Sequence, residues 1–330
     1  MFRFLFRKSP KPSKRSLVGK FKPNYRASEL PQGLGLLEGI PLERIIAKLN
    51  SALPLDYVER LQYRVKAGNP NMSDDEFACK WFELKRFFLM NLILKQTPMF
   101  STAIDEIWHE MLMFTREYQR FGEQFAGGVI HHSPERELKQ MPGERAWFDW
   151  IYAHLFEFAP TSARCWNGFF RNPLDRERTD LLCGGNEEEI AERWFDLEQA
   201  KRYPEVAETV RMLIAQAINE ARHSANSRSF EDTGWKNSLA GPNILVYMAG
   251  AMMFFSIHDP SDFTGGMNSY WPENDMDAQK DKQSSCSSSS CGSSGNSGES
   301  FGDNSGGGGS NCSSGSSCSS GSSCGSGCSS

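Results

Sequence analysis

The stretch 74–95 constrains the fold more than any other. Phe77, Trp81, Leu84, Phe88 and Leu92 recur at intervals of three and four, which places them on one side of a helix. Ser73 and Glu76 form a capping box at its start. An aromatic stripe of this kind needs other helices to cover it, and helical patterns surround it. Residues 42–49 follow Pro41 at a first helical position. Residues 56–66 stop at Gly68-Asn69-Pro70. Further patterns occupy 134–140, 143–158, 187–201 and 204–224, with 160–186 between them as a loop. The expectation is a mainly α, multi-helix globular domain over 29–262.

The ends of the chain differ in composition. The first 28 residues carry nine Lys/Arg and no acid, with Phe2, Phe4, Leu5 and Phe6 interleaved and Pro10 and Pro12 opposing a long helix. They are expected to form a disordered basic arm, and 1–22 can contact an anionic membrane weakly. Residues 263–283 are polar and aperiodic, a linker. The last 47 residues, 284–330, are a low-complexity Ser/Gly/Cys tail unable to bury enough apolar surface to fold. A net charge of -5 gives no overall basic field, so nucleic acid is not an expected partner, and no other partner is indicated. Met-Phe-Arg-Phe-Leu-Phe-Arg is too short and too interrupted for a signal peptide, so the expected location is cytoplasmic. Six of the nine cysteines lie in the tail; Cys79, Cys165 and Cys183 are free core thiols.

Residues 244–257 are the most apolar run. Their helical length of roughly 21 Å falls short of a hydrocarbon thickness of ~30 Å, which favours a core helix. The alternative is membrane association, with Lys236 and the basic arm on the cytoplasmic side.

Chemistry-bearing side chains concentrate in 101–134, which holds three of the six histidines. Ile104, Ile107, Trp108, Met111 and Leu112 have helical spacing. Thr102 with Asp105 resembles a capping box, and the helix is predicted to run from Thr102 to Gly127-Gly128. Asp105 and His109 are four apart and share a face. They can chelate a metal, or the carboxylate can orient the ring. His131 and His132 follow the glycine turn and point in opposite directions, so one of them can face Asp105 and His109. Asp105, His109, His131 and His132 are therefore the candidate metal ligands, with zinc or non-haem iron the metals their chemistry favours. The other outcomes are local: Asp105 complementing the helix dipole, His109 bonded at the core edge, and the His pair as loop polarity. Met113 stands where an HExxH motif needs its second histidine, which excludes that protease pattern. His154 and His223 read as structural. No Cys-x-x-Cys pair, serine elbow or phosphate-cradling loop occurs in the folded part. The functional expectation is a helical protein with a His/Asp metal-binding or polar site of unassigned reaction. The alternative is a non-catalytic scaffold or interaction protein, membrane-associated through 244–257 and the arm.

The order Asp105, Trp108-His109, Tyr118, Gly128, His131-His132 and Pro134 resembles the glycine-rich domain-containing protein family of bacteria and plants. The likeness covers about 75–190, and the tail is compatible with it. It adds Trp108 and Tyr118 to the candidate site and implies a shared fold without an established activity. Where plant members often carry a second histidine, this chain has Met111.

Overall fold

Five polar side chains start helices here. Ser73, Ser101, Asp175, Asn186 and Asp196 each accept a backbone N–H from the turn that follows, an interaction worth about 1 kcal/mol apiece. The computed structural model describes residues 25–132, 141–159, 161–231 and 244–270. The helices are α1 (Glu43–Ser51), α2 (Leu55–Gly68), α3 (Asp74–Ile93), α4 (Thr102–Leu112), α5 (Thr115–Phe125), α6 (Pro142–Leu155), α7 (Ser162–Cys165), α8 (Arg176–Gly184), α9 (Glu187–Trp194), α10 (Leu197–Arg202), α11 (Pro204–Asn226), α12 (Ile244–His258) and α13 (Phe263–Asn268). Two 3-10 turns precede them, and no strand occurs among the described residues. Isolated antiparallel bridges join Leu36 to Phe156 and Leu94 to Phe195. The fold is mainly α, as the periodicity predicts.

The centre is α3, which packs against α1, α4, α7, α10 and α11. Its stripe of Phe77, Trp81, Leu84, Phe88 and Leu92 is buried. So are Glu83 and Arg86, both 0% exposed, which the apolar pattern does not predict. Glu83 accepts from Tyr152 Oη (2.7 Å), Trp166 Nε1 (2.8 Å) and Ser162 Oγ (2.6 Å). Arg86 donates to the carbonyls of Leu34 (2.8 Å) and Glu157 (3.1 Å) and to the Tyr152 hydroxyl. Its guanidinium lies over the rings of Phe82 and Phe156. A buried charge survives only when its hydrogen-bonding capacity is met, and here both partners are well supplied.

Several boundaries differ from those predicted, each for a visible reason. The helix expected from Thr102 to the glycines is two helices, broken at Met113-Phe114. Thr115 would need the Met111 carbonyl to continue α4. That carbonyl instead accepts from Phe114 N (3.1 Å) and from the Tyr57 hydroxyl (3.2 Å). The Phe114 ring packs edge-on against Tyr57 at 5.5 Å. The cap is Ser101, whose hydroxyl accepts from Ile104 N at 3.2 Å, rather than Thr102. The span 187–201 breaks at Phe195, which is buried while Asp196 N donates to the Ile93 carbonyl at 2.9 Å. The loop expected over 160–186 contains α7 and α8; Asp175 caps α8, and Gly185, with φ 71°, ends it. The linker expected from 263 begins instead with α13, which buries Phe263 and Met267.

Helix α12 is buried on nearly every side against α6, α8, α11 and α13. No helix among the described residues is long and apolar enough to cross a membrane. The basic arm up to residue 24, the pattern at 134–140, the linker from 271 and the tail lie outside the described residues.

Candidate functional site

The break between α4 and α5 turns the chain so that the segment after α5 comes back over α4. Trp108 is the anchor. Its ring is held edge-on by Phe87 (5.3 Å) and Phe88 (5.6 Å) of α3. Its Nε1 donates to the Tyr118 hydroxyl (2.9 Å), which in turn donates to the Ile130 carbonyl (2.7 Å). Burial pushes the Tyr118 hydroxyl up to about 12, so it remains a donor at neutral pH. The relay pins the backbone two residues before His132. Gly122 completes the fit from α5. A Cβ there would lie 2.6 Å from the Gly128 carbonyl oxygen and 3.2 Å from Ile130 N, so the loop crosses against the bare helix backbone.

The pinned loop delivers His132 onto α4. Its side chain is 6% exposed and its Nε2 lies 2.7 Å from Asp105 Oδ1. The ring meets Trp108 at 4.4 Å and His109 at 4.5 Å, both edge-to-face. His109 Nδ1 lies 2.9 Å from the Asp105 carbonyl oxygen and 3.3 Å from Oδ2. Both of those atoms are acceptors, so Nδ1 carries the proton and Nε2 is the ring nitrogen left for a ligand. Asp105, His109 and His132 each offer one ligand atom, all within 4.8 Å of one another. A metal with bonds of about 2.0–2.2 Å holds its ligand atoms roughly 3.0–3.4 Å apart, so it would replace the 2.7 Å hydrogen bond between His132 and Asp105 and draw in the wider separations.

His131 stands outside this cluster. It is exposed and lines an adjoining pocket with Tyr118 and His132. Of the four expected ligands, Asp105, His109, His131 and His132, the structure brings together Asp105, His109 and His132 and leaves His131 apart, because neighbours in an extended segment face opposite ways. Trp108 and Tyr118 serve as supports, with their polar atoms already used. Glu110 contributes no atom to the cluster; it borders the pocket beside His109 and pairs with Arg64 at 2.8 Å.

A second polar cluster escaped prediction. His154, on α6, is buried and stacked on Trp150 at 3.9 Å. Its Nε2 meets Glu220 Oε1 at 2.7 Å and its Nδ1 the Trp150 carbonyl at 2.8 Å. Trp150 Nε1 donates to Glu220 Oε2 at 2.8 Å. Both ring nitrogens face oxygens that can accept, an arrangement that favours the protonated ring beside the Glu220 carboxylate. The signal available in sequence was Glu220 on the inward face of 204–224, level with Ala217 and Ala221. The pair is closed by α6 and α11 and fully hydrogen-bonded, a structural role.

No curated protein and no solved structure matches this chain. Residues 45–151, running from α1 to α6 and including all three clustered side chains, match the model of the UCP032817-like family. That match replaces the resemblance to glycine-rich domain-containing proteins: the short Trp-His and His-His motif is shared by sequence order alone, whereas the family model spans the helices that hold it. In this segment the chain is similar to the UCP032817-like family.

Proposed function

We propose that Asp105, His109 and His132 hold one divalent transition metal, zinc or non-haem iron, and that the protein acts through it. The observation that carries this is the convergence of two imidazoles and one carboxylate, drawn from one face of α4 and a loop pinned by Trp108 and Tyr118. Two nitrogens and one oxygen suit both metals. Three protein ligands leave coordination positions open, where a bound water becomes acidic enough to attack a substrate. The His132–Asp105 hydrogen bond at 2.7 Å also supports a second reading, in which the cluster only fastens the loop and the protein is a non-catalytic scaffold.

The test is metal stoichiometry in the full chain with its accessible thiols alkylated. Wild type should hold about one equivalent more zinc or iron than His109→Ala or His132→Ala. His131→Ala should match wild type. Equal stoichiometry in all four proteins would overturn the metal centre. Loss of folding by His132→Ala, with no metal bound to wild type, would leave the scaffold.

A further inference from the structure

Two pockets flank the Asp105–His109–His132 cluster, and they differ in charge. The one beside His109, about 260 Å³, is bordered by Glu106, Glu110 and Arg64, and Arg64 is already taken by Glu110. The one beside His132, about 370 Å³, has no carboxylate among its described lining residues. There Thr115, His131 and His132 supply polar atoms, and Leu112, Val129 and Ile130 an apolar wall. A divalent cation held by one carboxylate and two neutral imidazoles carries one uncompensated positive charge. Among the described residues, an anion reaching it from the His132 side meets no opposing carboxylate, whereas on the His109 side it meets Glu106 and Glu110.

We infer that the His132-side pocket takes a small organic carboxylate. Its anionic group fills an open position on the metal, and its hydrocarbon body lies on Leu112, Val129 and Ile130. The volume suits a small molecule of several carbons. The inference rests on the metal reading above.

The probe is hexanoate, titrated into the full chain loaded with cobalt after alkylation of its accessible thiols, with the visible cobalt spectrum as readout. Hexanoate should change the spectrum saturably, and hexylammonium should not. Acetate should bind at least about tenfold more weakly, because it lacks four methylenes, of which two resting on the apolar wall already supply about that factor. Thr115→Glu places a carboxylate in the pocket at the first turn of α5, where the helix dipole favours it and folding is retained. That variant should weaken hexanoate about tenfold relative to wild type. Glu106→Gln, in the opposite pocket, should leave hexanoate binding as in wild type. Cobalt bound by wild type but indifferent to hexanoate would overturn the carboxylate site and spare the metal. So would an equal response to hexylammonium, or no effect of Thr115→Glu. Failure of cobalt to bind the cluster would overturn both.

Discussion

Replacing Tyr118 by Phe removes one oxygen and leaves the ring in place, so no cavity opens. Its consequences follow from two hydrogen bonds. The Trp108 Nε1–H loses its acceptor in a side chain only 4% exposed, and an orphaned buried donor costs about 1–3 kcal/mol. The Ile130 carbonyl is half-buried and recovers water, which adds about 0–1 kcal/mol. The expected destabilisation is therefore about 2 kcal/mol. About half of it is conditional on Trp108. In a Trp108→Phe background no indole donor remains to be stranded, and Tyr118→Phe should cost only the net value of its bond to Ile130, about 1 kcal/mol. Urea unfolding followed by far-ultraviolet circular dichroism gives all four corners of the cycle, provided the slope with denaturant is unchanged. The same substitution should weaken cobalt binding about tenfold, because the loop that carries His132 is no longer pinned. An identical cost of Tyr118→Phe in both backgrounds would refute the relay.

Gly122→Ala should destabilise by about 1–3 kcal/mol despite the higher helix propensity of alanine, because the new methyl meets backbone atoms of Gly128 and Ile130 that cannot rotate aside; a more stable variant in the same urea assay would contradict the close approach. His154 gives a pH signature. Burial pulls its pKa down, but the Glu220 carboxylate and the Trp150 carbonyl outweigh this and leave it above its ordinary value. A raised folded-state pKa means the contribution is complete below an unfolded value of about 6.5 and is lost as pH rises through the folded one. The wild-type urea midpoint should therefore decline as pH rises above about 6.5, with a smaller decline in His154→Gln; equal slopes in the two proteins would be inconsistent with the pair. Arg86→Met should cost about 3–5 kcal/mol, since Glu83 is left as a buried charge with only neutral donors, and a midpoint equal to wild type would show that the ion pair is dispensable.

Most helices were legible because their apolar residues recur every three or four positions and their caps are single polar residues, as at Ser73. What failed to show was tertiary capture of backbone groups. Nothing local to Met111 reveals that Tyr57, on another helix, takes its carbonyl and ends α4 there. Phe195 similarly breaks a helical pattern because its burial and the Asp196–Ile93 hydrogen bond outrank local propensity. At the candidate site, the spacing of Asp105 and His109 placed them together, and the alternation at 131–132 allowed one ring to turn inward. Which of the two turned inward depended on the relay through Trp108 and Tyr118. The pocket walls from Leu112, Val129 and Ile130 had no signature of their own, since apolar residues near a turn are ordinary.

The Glu83–Arg86 pair at the heart of α3 also limits how that helix can be seated. Its surface is greasy almost all round, and grease alone accepts many orientations. Turning the rod by a single residue, about 100°, would aim both charges at hydrocarbon and strand Tyr152, Ser162 and Trp166 without their shared acceptor. The polar pair therefore acts like the bit of a key: exchanged whole for hydrocarbon it would change the grip on the helix little, but half of it cannot be removed cheaply, and together the two charges decide the single angle at which the helix enters.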